Sequence, residues 1–149
     1  AEGPAVTFHT YGKGAGVHCA LDLCSAVYTE ANPMLRRLMI DLLDRVHPRS
    51  QRTILTDQAP MNVEIFYNRR GRERFVHLVN YAGDKRETGT PQTQDLQPYH
   101  DIGISLALGT QGRVTELPGG REVAAEMIDG RLCFKAAVIG AHSVYRIET

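Results

Sequence analysis

The stretch VTFHTYGKGAGVHCALDL, residues 6–23, sets a lysine between two glycines, Gly12-Lys13-Gly14. Read one way, it is a phosphate-binding loop and the chain opens as a nucleotide-binding α/β fold. Read the other way, it is a turn between two strands. A phosphate loop needs a strand, then G-x-x-x-x-G-K-[ST], then a helix whose amino end faces the phosphate. Here Gly14 stands where Ser or Thr is required, and Ala15–Leu21 reads as strand rather than helix. Ala5–Thr10 is strand-like on the other side. The stretch therefore reads as a glycine-rich hairpin turn with an exposed lysine.

Downstream lies ANPMLRRLMIDLLDRVHP, residues 31–48. Asn32 is a suitable N-cap, Pro33 fits the first helical position, and Pro48 stops the helix. Leu35, Leu38, Met39, Leu42, Leu43 and Val46 recur at three- and four-residue steps, so one face is apolar. Arg36, Arg37, Asp41, Asp44 and Arg45 take the other face, with Asp41 and Arg45 spaced as an i,i+4 pair. Such a stripe must bury against something, and an isolated hairpin is a poor partner. Residues 1–48 thus read as the tail end of a layered α/β unit with one helix.

After Pro48 no helical period returns. Short β-rich runs follow: Thr53–Thr56, Asn62–Tyr67, Arg74–Tyr81, Asp101–Leu108, Val114–Leu117, Glu122–Ile128, Leu132–Val138 and Ser143–Ile147. Arg70-Gly71, Gly119-Gly120 and Asp129-Gly130 punctuate them as turns. Residues 49–149 therefore read as a small antiparallel β-sandwich, interrupted by a long polar loop over 83–98. The fold class expected is α+β.

The bulk composition narrows the function. Lys plus Arg and Asp plus Glu number 17 each, so the net charge is zero. A nucleic-acid binder carries a basic excess. No apolar run approaches the ~20 residues of a membrane helix, and the first residues lack the basic start and apolar core of a signal peptide. The expectation is no nucleic-acid and no membrane partner, and a cytoplasmic location. Cys19, Cys24 and Cys133 are odd in number and form no C-x-x-C pair, which suits small buried thiols in a reducing compartment.

Little in the chain has the pattern of chemistry. His9, His18, His47, His77, His100 and His142 show neither H-x-x-x-H nor H-E-x-x-H spacing. His9 and His18 lie on adjoining strands and are the pair closest to a surface site. His100-Asp101 reads as a proton relay on paper, but neighbours on a strand point to opposite faces. Cys24-Ser25 follows a strand, and a cysteine on a strand-to-helix elbow can be a nucleophile; the helix expected here starts only at Pro33, so a small hydrolase built on Cys24 and a histidine is disfavoured. Asp57 and Glu64 are the best-placed carboxylates for glycoside hydrolysis, which needs two, yet Glu64 shares a strand face with Asn62, Phe66 and Asn68 and reads as solvated. The chain has no Trp, so a sugar platform would fall to tyrosines. Catalytic, metal and cofactor sites are expected to be none; Tyr67, Tyr81 and Tyr99 are candidate sugar contacts.

RFVHLVNYAGD, residues 74–84, resembles a strand in the C-terminal β-domain of multidomain glycoside hydrolases. These are the β-galactosidase-like group and the related α-fucosidase-like and uncharacterised glycosyl hydrolase-like proteins. YGKGAGVHCALDL resembles the glycine-turned hairpin that ends their flavodoxin-like trimerisation domain, NPMLRRLMIDLLDRV its last helix, and HDIGISL the sandwich strand after the long loop. The resemblance implies a flavodoxin-like remnant over 1–48 and a C-terminal sandwich over 49–149. It implies an upstream catalytic (β/α)₈ barrel as partner, in the same protein or another subunit; the uncovered stripe of Leu35, Leu38, Leu42 and Val46 further leads us to expect a homo-oligomer or an extra bound chain. The family's catalytic carboxylates sit on that barrel, so none transfers to this chain. Asn80 and Tyr81 match the family strand as fold residues, a buried amide bonding a turn and a packed ring. The function implied is a non-catalytic portion of a glycoside hydrolase with a structural, assembly or substrate-rim role. The alternative is a free-standing carbohydrate-binding or protein-interaction module.

Overall fold

The computed structural model describes residues 3–30, 32–81 and 96–149. Most of the expected polar loop, 82–95, lies outside them. The chain forms two compact units, one ending at Arg52 and one running Thr53–Thr149.

The first unit opens with strands β1 (Val6–Tyr11) and β2 (Gly14–Cys19), antiparallel in the register Tyr11↔Gly14 to Val6↔Cys19. Gly12 begins the two-residue turn at φ +57°, a conformation that costs glycine little. The Gly-Lys-Gly motif is a hairpin.

Two helices follow, not one. Helix α1 spans Leu23–Glu30 and α2 spans Pro33–Val46. The sequence hides α1 because it carries no apolar stripe: only Leu23 is buried, and Tyr28 is 89% exposed. Its visible cue is Asp22, whose Oδ1 accepts from the Ser25 amide at 3.4 Å. In α2, Asn32 Oδ1 accepts from the Met34 amide at 2.9 Å, with Pro33 in the first turn. The stripe residues Leu35, Leu38, Met39, Leu42 and Val46 are half-buried, Leu43 is exposed, and no residue of α2 is fully buried. Asp41 pairs with Arg37 at 3.0 Å rather than with Arg45. Arg45 instead lies over the Phe8 ring, 4.5 Å from its centroid. Arg52 pairs with Asp44 and donates to the His47 carbonyl at 3.1 Å, which ties the chain after α2 back to the helix.

Among the described residues the second unit has nine strands, β3 (Ile54–Asp57), β4 (Val63–Arg70), β5 (Glu73–Asn80), β6 (Tyr99–Leu106), β7 (Arg113–Leu117), β8 (Arg121–Val123), β9 (Ala125–Ile128), β10 (Arg131–Ile139) and β11 (His142–Glu148). They form two antiparallel sheets, ordered β3-β6-β10-β9 and β4-β5-β11-β7-β8. The run expected as one strand over Glu122–Ile128 breaks at Ala124, because β8 pairs with β7 in one sheet and β9 with β10 in the other. Asp129 and Gly130, at φ 48° and 75°, make the tight β9–β10 turn.

The inner faces of both sheets share one core, as in a β-sandwich. Val76, Leu78, Val114, Tyr145 and Ile147 come from the five-stranded sheet, and Ile102, Ile104, Leu106, Leu132, Phe134, Ala136 and Ile139 from the four-stranded one. The Phe134 and Tyr145 rings pack tilted at 52° with centroids 5.3 Å apart. Alternation along β6 is broken at Asp101, whose φ is +55°. Residues 102, 104 and 106 point inward, but so does Tyr99 rather than His100. β10 changes phase at the same level, burying Ala136 and then Ile139 while Val138 is 47% exposed.

Candidate functional site

The three tyrosines do not form one exposed cluster. Tyr67 follows Val63 and Ile65 on β4 and packs partly buried against the core. Tyr99 also packs against the core, and its hydroxyl donates to Asn62 Oδ1 at 2.9 Å. Tyr81 lies just past β5, 43% exposed, and its amide donates to the Asn62 carbonyl at 2.7 Å. Asn62 thus binds Tyr99 with its side chain and Tyr81 with its backbone. Tyr67 stands five residues further along the chain, roughly 16 Å at the rise of a strand. The structure therefore brings Tyr81 and Tyr99 to one end of the sandwich and leaves Tyr67 elsewhere. Asn80 is 4% exposed, a buried amide as expected, but its Nδ2 donates at 2.9 Å to the Gln97 carbonyl in the segment leading into β6 rather than to a turn. The Tyr81 ring, expected to be packed, is half open to solvent.

The carboxylates separate. Asp57 ends β3 in the four-stranded sheet and Glu64 lies on β4 in the five-stranded sheet, both exposed. Glu64 shares its outward face with Phe66, 46% exposed, and Asn68, the solvated setting the sequence suggested. Cys24 is exposed and sits in the first turn of α1, so a helix does follow the hairpin closely, contrary to expectation. Cys19 and Cys133 are half-buried.

The histidines rearrange most. His9 and His18 lie on one face of the hairpin, offset by two register pairs, with both side chains exposed. His100 and Asp101 are both exposed, because the left-handed backbone at Asp101 interrupts the alternation expected to part them. The close pair is one that spacing did not suggest. His77 on β5 and His142 on β11 approach to 3.2 Å between Nδ1 and Nε2, with centroids 5.4 Å apart and planes 13° apart. They are 65 residues apart in sequence, so only the register His77↔Val144 and His142↔Val79 brings them together. Partial burial lowers the His77 pKa, and the His142 charge lowers it further. Among the described residues, no three or more His, Cys, Asp or Glu side chains are grouped to hold a metal.

No protein-family model matches the chain, and no curated protein matches it. Five solved chains match it in structure. One is α-L-fucosidase isoenzyme 2 from Paenibacillus thiaminolyticus, with a TM-score of 0.75 and 19% identity. The likeness is one of fold. It covers 89% of this chain and 20% of the fucosidase, so this chain spans about a fifth of the length of the enzyme it resembles.

Proposed function

We propose that this chain is the non-catalytic C-terminal portion of a glycoside hydrolase. In this reading the hairpin, α1 and α2 are the end of a flavodoxin-like layer, and the sandwich is an accessory domain that packs against a catalytic barrel. One observation carries the proposal: the fold match takes in 89% of this chain but only 20% of an α-L-fucosidase. Two others support it. Asp57 and Glu64 are exposed on separate sheets, whereas glycoside hydrolysis requires two carboxyl groups flanking the scissile bond. The apolar face of α2 contains no fully buried residue, as suits a helix whose covering layer comes from upstream chain or a second subunit. Tyr81, exposed beside Asn62, is the residue best placed to reach the rim of a sugar site.

The intact mass of the product of the native gene tests this reading. A mass several times 16.5 kDa is expected, with the additional chain upstream. A mature product of 149 residues would overturn it and favour a free-standing carbohydrate-binding module. That second reading rests on the exposed Tyr81, and oligosaccharide titration of the tyrosine fluorescence would test it.

A further inference from the structure

We propose that His77 and His142 form a bidentate site for a divalent transition metal of borderline softness, with Zn²⁺ as the reference ion, on the outer face of the five-stranded sheet. The strands fix which way these side chains point. Val76 and Leu78 on β5, and Ser143 and Tyr145 on β11, are buried on the inner face. His77 and His142 alternate with them and emerge on the opposite face. β5 and β11 are neighbours within the sheet; His77 is held between β4 and β11, and His142, the first residue of β11, by its pairing with β5.

The donor spacing matches a chelate. Two imidazole nitrogens bound to one Zn²⁺ at about 2.0–2.1 Å stand about 3.3 Å apart at the tetrahedral angle. Here the separation between His77 Nδ1 and His142 Nε2 is 3.2 Å. With planes only 13° apart and centroids 5.4 Å apart, the rings lie nearly in one plane, end to end. One ring therefore donates its N–H to the lone pair of the other. A metal takes the place of that shared proton once a modest ring rotation turns both lone pairs to one point, and the proton goes to solvent.

The surroundings suit a cation. Neutral imidazole is the state that binds metal. Glu64 stands in the same cross-strand row as Val79 and His142. Arg146, on the same face of β11, is engaged by Glu73 at 3.7 Å and Glu148 at 3.4 Å. Two protein ligands leave coordination positions open for water or for a group from another molecule. Imidazole donors select Zn²⁺, Cu²⁺ and Ni²⁺ over Mg²⁺ and Ca²⁺.

The test is Zn²⁺ titration of the purified protein against a chromophoric chelator at neutral pH, with His77→Gln, His142→Gln, the double variant and His100→Gln. The wild type should bind one equivalent of Zn²⁺ well above the background set by the double variant. Each single variant should lose roughly 100-fold in affinity, because it loses the chelate, while His100→Gln should bind as the wild type does. Zn²⁺ should also raise the melting temperature of the wild type, and excess chelator should reverse the rise. Wild-type binding no tighter than that of the double variant, or loss in only one of the two single variants, would overturn the site. If His77→Gln fails to fold, His142→Gln, altered at an exposed ring, decides the question with the melting shift.

Discussion

The Asn80 side chain donates from Nδ2 to the Gln97 carbonyl at 2.9 Å and bridges the end of β5 to the approach to β6. The backbone of the same residue donates to the Ala141 carbonyl at 2.9 Å. One residue therefore connects three segments at one end of the sandwich, from a position 4% exposed to solvent. Asn80→Ala leaves the Gln97 carbonyl unpaired and should cost about 1–3 kcal/mol. Urea unfolding should show a lower midpoint with an unchanged slope; an unchanged midpoint would show that the bond contributes nothing.

Gly112 lies against the end of β11. A Cβ there would stand 3.0 Å from Ile147 Cγ2, 3.1 Å from the Glu148 carbonyl oxygen and 3.1 Å from Thr149 Cγ2. The backbone contact cannot turn away as a side chain can, so Gly112→Ala should destabilise the sandwich by about 1–3 kcal/mol. Thermal unfolding beside an alanine substitution at the open Gly3 position separates this contact from a general effect of losing glycine.

Tyr145 behaves in the opposite sense. It is fully buried, and its hydroxyl lacks a well-formed hydrogen bond among the described residues. The Ser143 hydroxyl lies close enough to influence it but donates to the Val138 carbonyl at 3.4 Å. Burial, and then the Glu116 carboxylate, push the Tyr145 pKa up to about 12, with Arg121 and Ser143 pulling the other way. Removing a hydroxyl that is buried without a partner relieves a desolvation cost. Tyr145→Phe should melt at the same temperature as the wild type or higher; a clear drop would reveal a bond that the geometry does not show.

With a chelator present to exclude metal, the His77–His142 pair predicts a pH dependence. The folded pKa of His77 lies below its ordinary value of 6.5, first through burial and then through the His142 charge. The unfolded chain therefore takes up this proton more readily than the folded one. The stability linked to His77 is fully present above pH 6.5 and is lost as pH falls through the lowered folded pKa. His77→Gln should flatten the slope of stability against pH on the acid side of 6.5, and an unchanged slope would contradict the assignment.

The half-buried stripe of α2 predicts association. Size-exclusion chromatography with light scattering on these 149 residues should give a mass above 16.5 kDa. Glu at Leu38 and Leu42 should return it to the monomer, because charge at both positions removes the apolar face a partner would cover. A wild-type monomer with the same elution as the double variant would argue that the stripe needs no partner.

Much of this fold was legible in the sequence, for reasons that can be traced to particular residues. Asn32-Pro33 and the stripe from Leu35 to Val46 are strong local signals, and α2 follows them closely. Asp129-Gly130 marks its turn because few residue pairs tolerate two positive φ angles. Helix α1 escaped because it lacks an apolar period. The division at Ala124 escaped because a strand that changes sheets carries the same β-rich composition on both sides. At Asp101 a residue compatible with extended backbone takes a left-handed one, and no local pattern announces it. The histidine pair is the clearest case: it depends on the pairing of β5 with β11, which local spacing does not encode.

If this region is, as proposed, a non-catalytic part of a glycoside hydrolase, activity should depend on chain outside it. The most direct measurement is the release of p-nitrophenol from a panel of p-nitrophenyl glycosides, α-L-fucoside and β-galactoside included. It should be made in parallel on residues 1–149 and on the full product of the native gene. Turnover is expected from the full product and none from the 149-residue chain. Turnover by the 149-residue chain alone, at a rate matching the full product, would contradict it.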